Sequence, residues 1–281
     1  MIEIGKHQLL TVNREVDFGL YLGDGNEEIL LPTKYVPDGL SIGDKLRVFV
    51  YKDSEDRPIA TTLQPAGEVG SIVSLKVKDS NPHGAFMDWG LEKDLFVPKR
   101  EQHVPFQVGK FYVVRILLDH KTNRLIGTSK IRAFLKKDAD GLEEGQKVNL
   151  LIYSVTDLGF QAVINGTYSG LLYRSECPVE FAIGTETDGY IRAIREDGKI
   201  DLRLSLGGRE GADEHREMLL DALHKNDGYL NLTDKSSPEV IQQTLGMSKK
   251  AFKKALGNLY RDRLVLLESE GVRLAASDDK A

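Results

Sequence analysis

The sequence predicts a mainly β protein: three copies of a small five-stranded barrel, followed by a C-terminal α+β domain. Two observations predict it. Short glycine-containing motifs recur three times in the same order, and after Leu206 the alternating apolar pattern gives way to helical periodicity. We predict three barrels and one further domain, with limits at 1–65, 66–141, 142–210 and 211–281.

Each copy has three landmarks in a fixed order. The first is a glycine within an apolar strand, the second an apolar cluster, and the third a glycine turn that opens a later strand. The first glycines are spaced 65 and 75 residues apart, and the last are spaced 66 and 75 apart, so one unit is repeated. The landmarks are Gly19, Gly84 and Gly159; 29–32, 95–98 and 170–173; and Gly43, Gly109 and Gly184.

Within each copy, polar and apolar residues alternate over short segments, clearly at 45–50, 70–78 and 148–155. A period of two is typical of a strand with one buried face. About five such strands per copy fit a barrel, which closes its own sheet edges.

The segment 130–137 lies between the second and third copies. Ile131, Phe134 and Leu135 have helical spacing, so we predict a short amphipathic helix with a basic face, followed by a linker over 138–145. A solvated connector is favoured over a functional role for it.

The C-terminal region has helix signals. Ser237 before Pro238, and Ser248 before a lysine-rich stretch, are typical N-caps. The order of elements predicts a winged helix: helix 213–225, strand 229–232, helix 238–246, helix 249–261 and hairpin 264–274.

The net charge of −5 is unevenly distributed. The four predicted units carry −4, +4, −4 and −1 in order. Because exposed charges are screened beyond about 8–10 Å, a local basic surface can attract phosphate in an acidic chain.

Several functional classes find no support in the sequence. No apolar stretch approaches about 18 residues, the N-terminus has no leader pattern, and Cys177 is the single cysteine, so we expect a cytoplasmic protein without membrane contact. The six histidines lack zinc-site spacing, and no phosphate loop or nucleophile elbow is present. We therefore predict no enzymatic activity, cofactor, metal or small-molecule substrate.

The repeat resembles the S-one (S1) domain, an OB-fold barrel that binds RNA. The resemblance departs at the usual histidine, which is replaced by Pro32, Pro98 and Tyr173, and at Gln161, where the second aromatic belongs. The matching segments are 18–21 in copy one; 67–73, 84–87 and 123–129 in copy two; and 145–148, 159–160, 170–173 and 199–205 in copy three.

Three such units before a winged helix, in a chain of this length, are similar to the conserved virulence factor B (CvfB) family of bacterial proteins. The resemblance implies RNA binding in the cytoplasm, effects on gene expression and no known catalytic residues.

OB barrels bind single strands on the face of their second and third strands, where exposed aromatics stack on bases. Tyr21, Phe86 and Tyr173 are the main candidates for stacking. At least one ring in each copy is expected to fill the core instead, and Trp89 fits either an exposed platform or a plug. Weaker candidates are Phe18, His83, Phe160 and Tyr168.

Cations after the apolar clusters predict phosphate contacts, with a solvated surface as the alternative. These are Lys34, Lys99, Arg100 and Arg174, with Lys110, Arg115 and Arg124 adding to the basic second barrel. In the winged helix, like charges four residues apart repel, which favours an anionic partner. Those residues are Lys249, Lys250, Lys253 and Lys254, followed by Arg261.

The sequence therefore predicts a non-enzymatic protein that binds single-stranded RNA and regulates gene expression. One alternative is a DNA-binding regulator acting through the winged helix, although duplex DNA is the less favoured partner. Another is an adaptor that docks on the ribosome, polymerase or a ribonuclease, and a third is a ribonuclease.

Overall fold

The computed structural model describes residues 1–136, 138–177, 180–205 and 208–275, with the backbone alone over 208–214. Three closed five-stranded barrels are followed by a domain of three helices and a three-stranded sheet, so the predicted fold class is confirmed. The predicted limits at residues 65, 141 and 210 stay predictions. Among the described residues, no helix is long and apolar enough to cross a membrane.

The three barrels share one topology. The strand order is first, second, third, fifth and fourth, and the third and fifth strands run parallel. Barrel 1 contains β1 (His7–Val16), β2 (Gly19–Gly23), β3 (Glu28–Pro32), β4 (Lys45–Lys52) and β5 (Pro58–Thr61). Barrel 2 contains β6 (Ile72–Asn81), β7 (Gly84–Asp88), β8 (Leu95–Pro98), β9 (Phe111–Asp119) and β10 (Arg124–Thr128). Barrel 3 contains β11 (Lys147–Val155), β12 (Gly159–Ile164), β13 (Tyr168–Tyr173), β14 (Glu186–Ile194) and β15 (Ile200–Arg203).

The first glycine of each copy recurs because no side chain fits there. A Cβ on Gly19, Gly84 or Gly159 would lie 2.1, 2.4 or 2.2 Å from a backbone carbonyl oxygen of the third strand. In barrels 1 and 3 the glycine also has φ near +150°, which L side chains rarely adopt. The glycine thus allows the second and third strands of each barrel to approach closely at this end of the pair.

Gly84→Ala is expected to destabilise barrel 2 by about 1–3 kcal/mol, because the added methyl overlaps the Val97 carbonyl. Trp89 is the single tryptophan and is buried, so its fluorescence during urea unfolding reports on this region. The midpoint is expected to fall, whereas Gly257→Ala, inside a helix of the C-terminal domain where nothing lies within 4 Å, should not lower it, because alanine favours a helix over glycine. Equal midpoints for the two variants would contradict this explanation of the glycine.

Neighbouring barrels share hydrophobic cores. Phe49 of β4 packs edge-on against Trp89, with ring centroids 5.8 Å apart, in a cluster that includes residues of barrels 1 and 2. A second cluster joins barrels 2 and 3 through Val113, Ile131 and Leu151. Adjacent barrels therefore present their surfaces in fixed relation.

The prediction of an amphipathic helix over 130–137 is wrong. The structure has a 3-10 turn at Ile131–Phe134, and Leu135 is already extended. The backbone N–H of Lys136 donates to the Thr167 carbonyl at 3.0 Å, so the chain joins barrel 3 before an α-helix can form. Ile131 and Leu135 are buried between the barrels, which explains their apolar character. Lys137 lies outside the described residues.

The C-terminal domain has the predicted winged-helix order. The Oγ of Ser237 accepts a hydrogen bond from the Val240 N–H, and that of Ser248 accepts one from Ala251, so both predicted caps are confirmed. The first helix begins earlier and the first strand is shorter than predicted. The elements are α1 (Gly208–Lys225), β16 (Tyr229–Leu230), α2 (Pro238–Leu245), α3 (Lys249–Arg261), β17 (Val265–Leu267) and β18 (Val272–Leu274).

Candidate nucleic-acid interface

An open cleft lies over the second, third and fifth strands of each barrel. Clefts 1, 2 and 3, numbered by barrel, measure about 810, 530 and 830 Å³. The strand register places one row of three residues at the centre of each cleft. The rows are Tyr21, Leu30 and Ile59; Phe86, Phe96 and Ile126; and Gln161, Leu171 and Asp201.

Cleft 2 has an aromatic pair at its centre. The rings of Phe86 and Phe96 lie 5.1 Å apart at 40°, and both side chains are only half-buried. Their apolar surface is therefore available to a flat ligand such as a base. Barrel 1 has one ring in its row and barrel 3 has none.

A smaller basic cleft adjoins cleft 2 and shares Phe96, Arg124 and Ile126 with it. A 3-10 turn after Pro98 presents Lys99 and Arg100 on its rim, and both are exposed. Within the described parts of the chain, Lys99 has no ion-pair partner, and the nearest carboxylate to Arg100 is Glu101 at 3.8 Å. His83 is also exposed here.

In barrel 1, the candidate residues Tyr21 and Lys34 already contact other side chains. The Arg14 guanidinium lies 3.7 Å from the centroid of the Tyr21 ring and also binds Glu28 at 3.0 Å. Lys34 forms an ion pair with Glu92 of barrel 2 at 2.5 Å. Phe18 is 57% exposed on the edge of cleft 1.

In barrel 3, the candidate residues Tyr173 and Arg174 each have more than one side-chain contact. The Tyr173 hydroxyl accepts a hydrogen bond from Arg195 and lies 3.4 Å from Asp201. Arg174 packs over the Phe160 ring and pairs with Glu180, and Phe160 itself is in the core. Cleft 3 is also partly covered by the segment between barrels 2 and 3, because Arg132 of that segment donates a hydrogen bond to the Gln161 side chain. The Tyr168 hydroxyl donates to the Asp140 carbonyl at 2.6 Å.

Three other candidates of barrel 2 are not placed to stack on a base or to bind phosphate in the clefts. Trp89 fills the core, and Arg115 and Lys110 lie outside the cleft linings. Trp89 is a plug: it is 3% exposed, and its indole N–H donates to the Lys93 carbonyl at 2.8 Å. Arg115 packs over the Phe134 ring at 4.8 Å, near the boundary with barrel 3. Lys110 is exposed just before β9, away from the residues that line the clefts.

Helix α3 provides a second basic surface. Lys250, Lys253 and Lys254 are exposed and have no ion-pair partner among the described residues, whereas Lys249 is half-buried. Arg261 donates to the Asn258 side chain at 2.9 Å. The opposite side of α3, including Phe252 and Leu259, is buried in the core of the domain, so the lysines must face outward.

Sequence reasoning missed Phe96, Lys93 and the placement of Arg124. Phe96 could have been found, because alignment of the repeats sets it opposite Phe86 in the antiparallel pair. No local signal marks Lys93, whose ammonium contacts residues of barrel 1 about 40 positions away.

Two features that catalysis can use, a metal-binding cluster and a reactive thiol, were sought among the described residues. No group of three or more histidine, cysteine or acidic side chains is placed to hold a metal ion. Burial raises the pKa of the Cys177 thiol to about 11, so the thiol remains protonated at neutral pH.

Comparison with known proteins identifies the domains. Residues 217–274 match the family model of the CvfB-like winged helix domain, and residues 4–63 and 69–130 match that of the S1 domain. The chain is therefore a protein of S1 domains ending in a winged helix, an architecture that supports a nucleic-acid-binding role.

Relatives of similar length match most of this chain. Conserved virulence factor B of Staphylococcus epidermidis is 26% identical, over 91% of this chain and 89% of that protein. Uncharacterized protein YitL of Bacillus subtilis is 28% identical, over 94% and 91%. The chain is therefore similar over most of its length to proteins named Conserved virulence factor B, and its residues 217–274 match the CvfB-like winged helix domain. A crystal structure of a multidomain protein with nucleic acid binding domains from Streptococcus pneumoniae covers 97% of this chain and is itself covered to 98%, with 23% identity and a TM-score of 0.42.

Proposed function

We propose that this protein binds single-stranded RNA in the cytoplasm, without catalysis, and thereby regulates gene expression. The main site is the barrel 2 surface, defined as cleft 2 together with the adjoining basic cleft. One observation carries the proposal: this surface combines an aromatic pair with Lys99 and Arg100, which have no ion pair shorter than 3.8 Å among the described residues. The equivalent cations, Lys34 of barrel 1 and Arg174 of barrel 3, are held by carboxylates.

The chemistry of this surface suits a flexible single strand. Stacking of a base on an aromatic side chain contributes about 1–3 kcal/mol, and it requires bases that are not already stacked in a duplex. Lys99 and Arg100 sit beside the rings, where they can neutralise the phosphates that flank stacked bases. Sequence preference is expected to be weak, because every base offers a flat face.

The lysines of α3 support a second contact with the phosphate backbone. In helix-turn-helix proteins the corresponding helix enters the major groove of DNA, which favours a DNA-binding regulator as the second candidate function. RNA is the preferred partner here because the same chain carries S1 barrels with a stacking surface. Two linked contacts would also raise affinity through effective concentration.

The test is binding of the full chain to fluorescently labelled single-stranded RNA, measured by anisotropy at about 50 and 200 mM salt. With four phosphate contacts, affinity should fall about 50-fold between the two concentrations. Unlabelled duplex DNA should fail to displace the RNA, and a gel of the same samples should show intact RNA.

Each other outcome identifies a rival. Absence of binding at low salt would contradict nucleic-acid binding and favour the adaptor. Displacement by duplex DNA would favour the DNA-binding regulator, and metal-dependent cleavage would show a ribonuclease.

A further inference from the structure

Three cations lie where barrel 1 meets barrel 2, and each is held by a group of the other barrel. Lys34 pairs with Glu92 at 2.5 Å, and Arg124 pairs with Asp56. Lys93 donates to the backbone carbonyl of Asp53 at 2.6 Å and lies 3.5 Å from the Asp56 carboxylate. Two carboxylates thus pair with the three cations between the two binding faces and offset part of their charge.

The clefts of the two barrels are continuous through this region. Clefts 1 and 2 share Tyr51, Ser54, Glu92 and Lys93 in their linings. Because cleft 2 also adjoins the basic cleft, an open surface runs without a break from Tyr21 to Lys99. The aromatic side chains of barrel 1 and barrel 2 therefore lie along one path.

We propose that barrels 1 and 2 bind one single strand together, and that its phosphates replace Asp56 and Glu92 as partners of Arg124, Lys93 and Lys34. This inference rests on the proposed function and extends its site from one barrel to two. The ligand class is a single-stranded polynucleotide long enough to cover both barrels, which at about 4 nucleotides or more per OB fold means at least about 8.

The exposure of the ion pairs makes the exchange feasible. The side chains of Lys34 and Glu92 are 54% and 57% exposed, and exposed ion pairs of this kind contribute little to stability. A phosphate can therefore take over the cation while the freed carboxylate returns to water. Arg124 suits this exchange especially, since the guanidinium binds carboxylate and phosphate with the same paired geometry.

The shared core makes the two faces one preorganised surface. Phe49 and Tyr51 of barrel 1 pack in one cluster with Trp89 and Leu95 of barrel 2, directly beneath the shared part of the clefts. A strand bound across both barrels does not have to order two independent domains, so the second contact adds affinity without that entropic cost.

The test compares oligouridines of about 5 and about 15 nucleotides on the full chain, at one salt concentration. Tyr21→Ala should weaken binding of the longer RNA at least about fivefold and leave the shorter unchanged, since the short RNA occupies barrel 2 alone. Tyr21→Phe, which keeps the ring, should bind the longer RNA nearly as the unchanged protein does. Phe86→Ala should weaken both.

The ion exchange is tested by the Asp56→Asn, Glu92→Gln double variant. Because the amides no longer compete with phosphate, affinity for the longer RNA should rise about three- to tenfold. The matched control is Glu15→Gln with Asp38→Asn, which makes the same charge change on exposed barrel 1 residues outside the clefts and should raise affinity less than twofold.

The outcomes separate this inference from the proposed function. If Tyr21→Ala affects neither length while Phe86→Ala weakens both, barrel 2 binds alone and the shared strand is overturned. If the double variant binds no more tightly than its control, the exchange is overturned. If the unchanged protein binds neither RNA, the proposed function itself fails.

Discussion

Replacing Lys99 and Arg100 together by serine is expected to lower the affinity for single-stranded RNA by about tenfold or more at low salt. The two side chains are exposed on the 3-10 turn beside the aromatic pair, and neither has an ion pair shorter than 3.8 Å among the described residues. Their loss should remove about two phosphate contacts and reduce the slope of log affinity against log salt by about 1.4.

The control for this variant removes the same number of positive charges at a different place on the surface. Lys45 and Arg47 are exposed on β4 of barrel 1, outside the cleft linings, and have no ion-pair partner in the described parts of the chain. Serine at both positions should cost less than about threefold in affinity. Equal losses in the two double variants would show that net charge, and not the barrel 2 surface, determines binding.

Phe86→Ala is expected to weaken RNA binding about 5- to 150-fold, which corresponds to loss of one stacked base at about 1–3 kcal/mol. The salt slope should stay unchanged, because no phosphate contact is lost. This combination distinguishes the variant from the loss of Lys99 and Arg100, and both quantities come from the same anisotropy titrations.

Phe111→Ala is the matched control, since Phe111 is a 54% exposed aromatic of the same barrel that lies outside the clefts. Thermal unfolding of both variants should match the unchanged protein to within a few degrees. If Phe111→Ala weakened binding as much as Phe86→Ala, the aromatic pair would not be the stacking site.

The fold could be predicted from the sequence because its determinants are local or repeated. Gly19, Gly84 and Gly159 recur because a side chain would meet the opposite strand, so their spacing reports the repeat directly. Ser237 and Ser248 cap the helices that they precede. Such features depend on a few neighbouring residues and are visible without tertiary structure.

The segment 130–137 between barrels 2 and 3 shows why periodicity in the sequence can mispredict secondary structure. Ile131, Phe134 and Leu135 have helical spacing, but the burial of Ile131 and Leu135 between two barrels also satisfies that pattern. The short path from barrel 2 to barrel 3 allows one 3-10 turn and no more. Tertiary packing therefore overrides the periodicity.

The sequence predicts which kinds of residue form the candidate site, but it does not predict which of their charges are free to bind a phosphate. Alignment of the copies sets Arg174 at the place of Lys99 and Lys34 at the place of Arg100, and all of them follow the third strand as expected. Whether each can meet a phosphate depends on partners distant in sequence, such as Glu92, which lies 58 residues from Lys34. The sequence therefore suggests three similar sites, whereas in the structure Lys99 and Arg100 of barrel 2 are less engaged than Lys34 and Arg174.

The most direct test of the central claim is photo-crosslinking of the full chain to single-stranded RNA that carries 4-thiouridine, with the adducts located by mass spectrometry. The account predicts adducts on peptides that contain His83, Phe86 and Phe96, and their loss under high salt. Adducts confined to barrel 3 or to α3, with none on barrel 2, would contradict it.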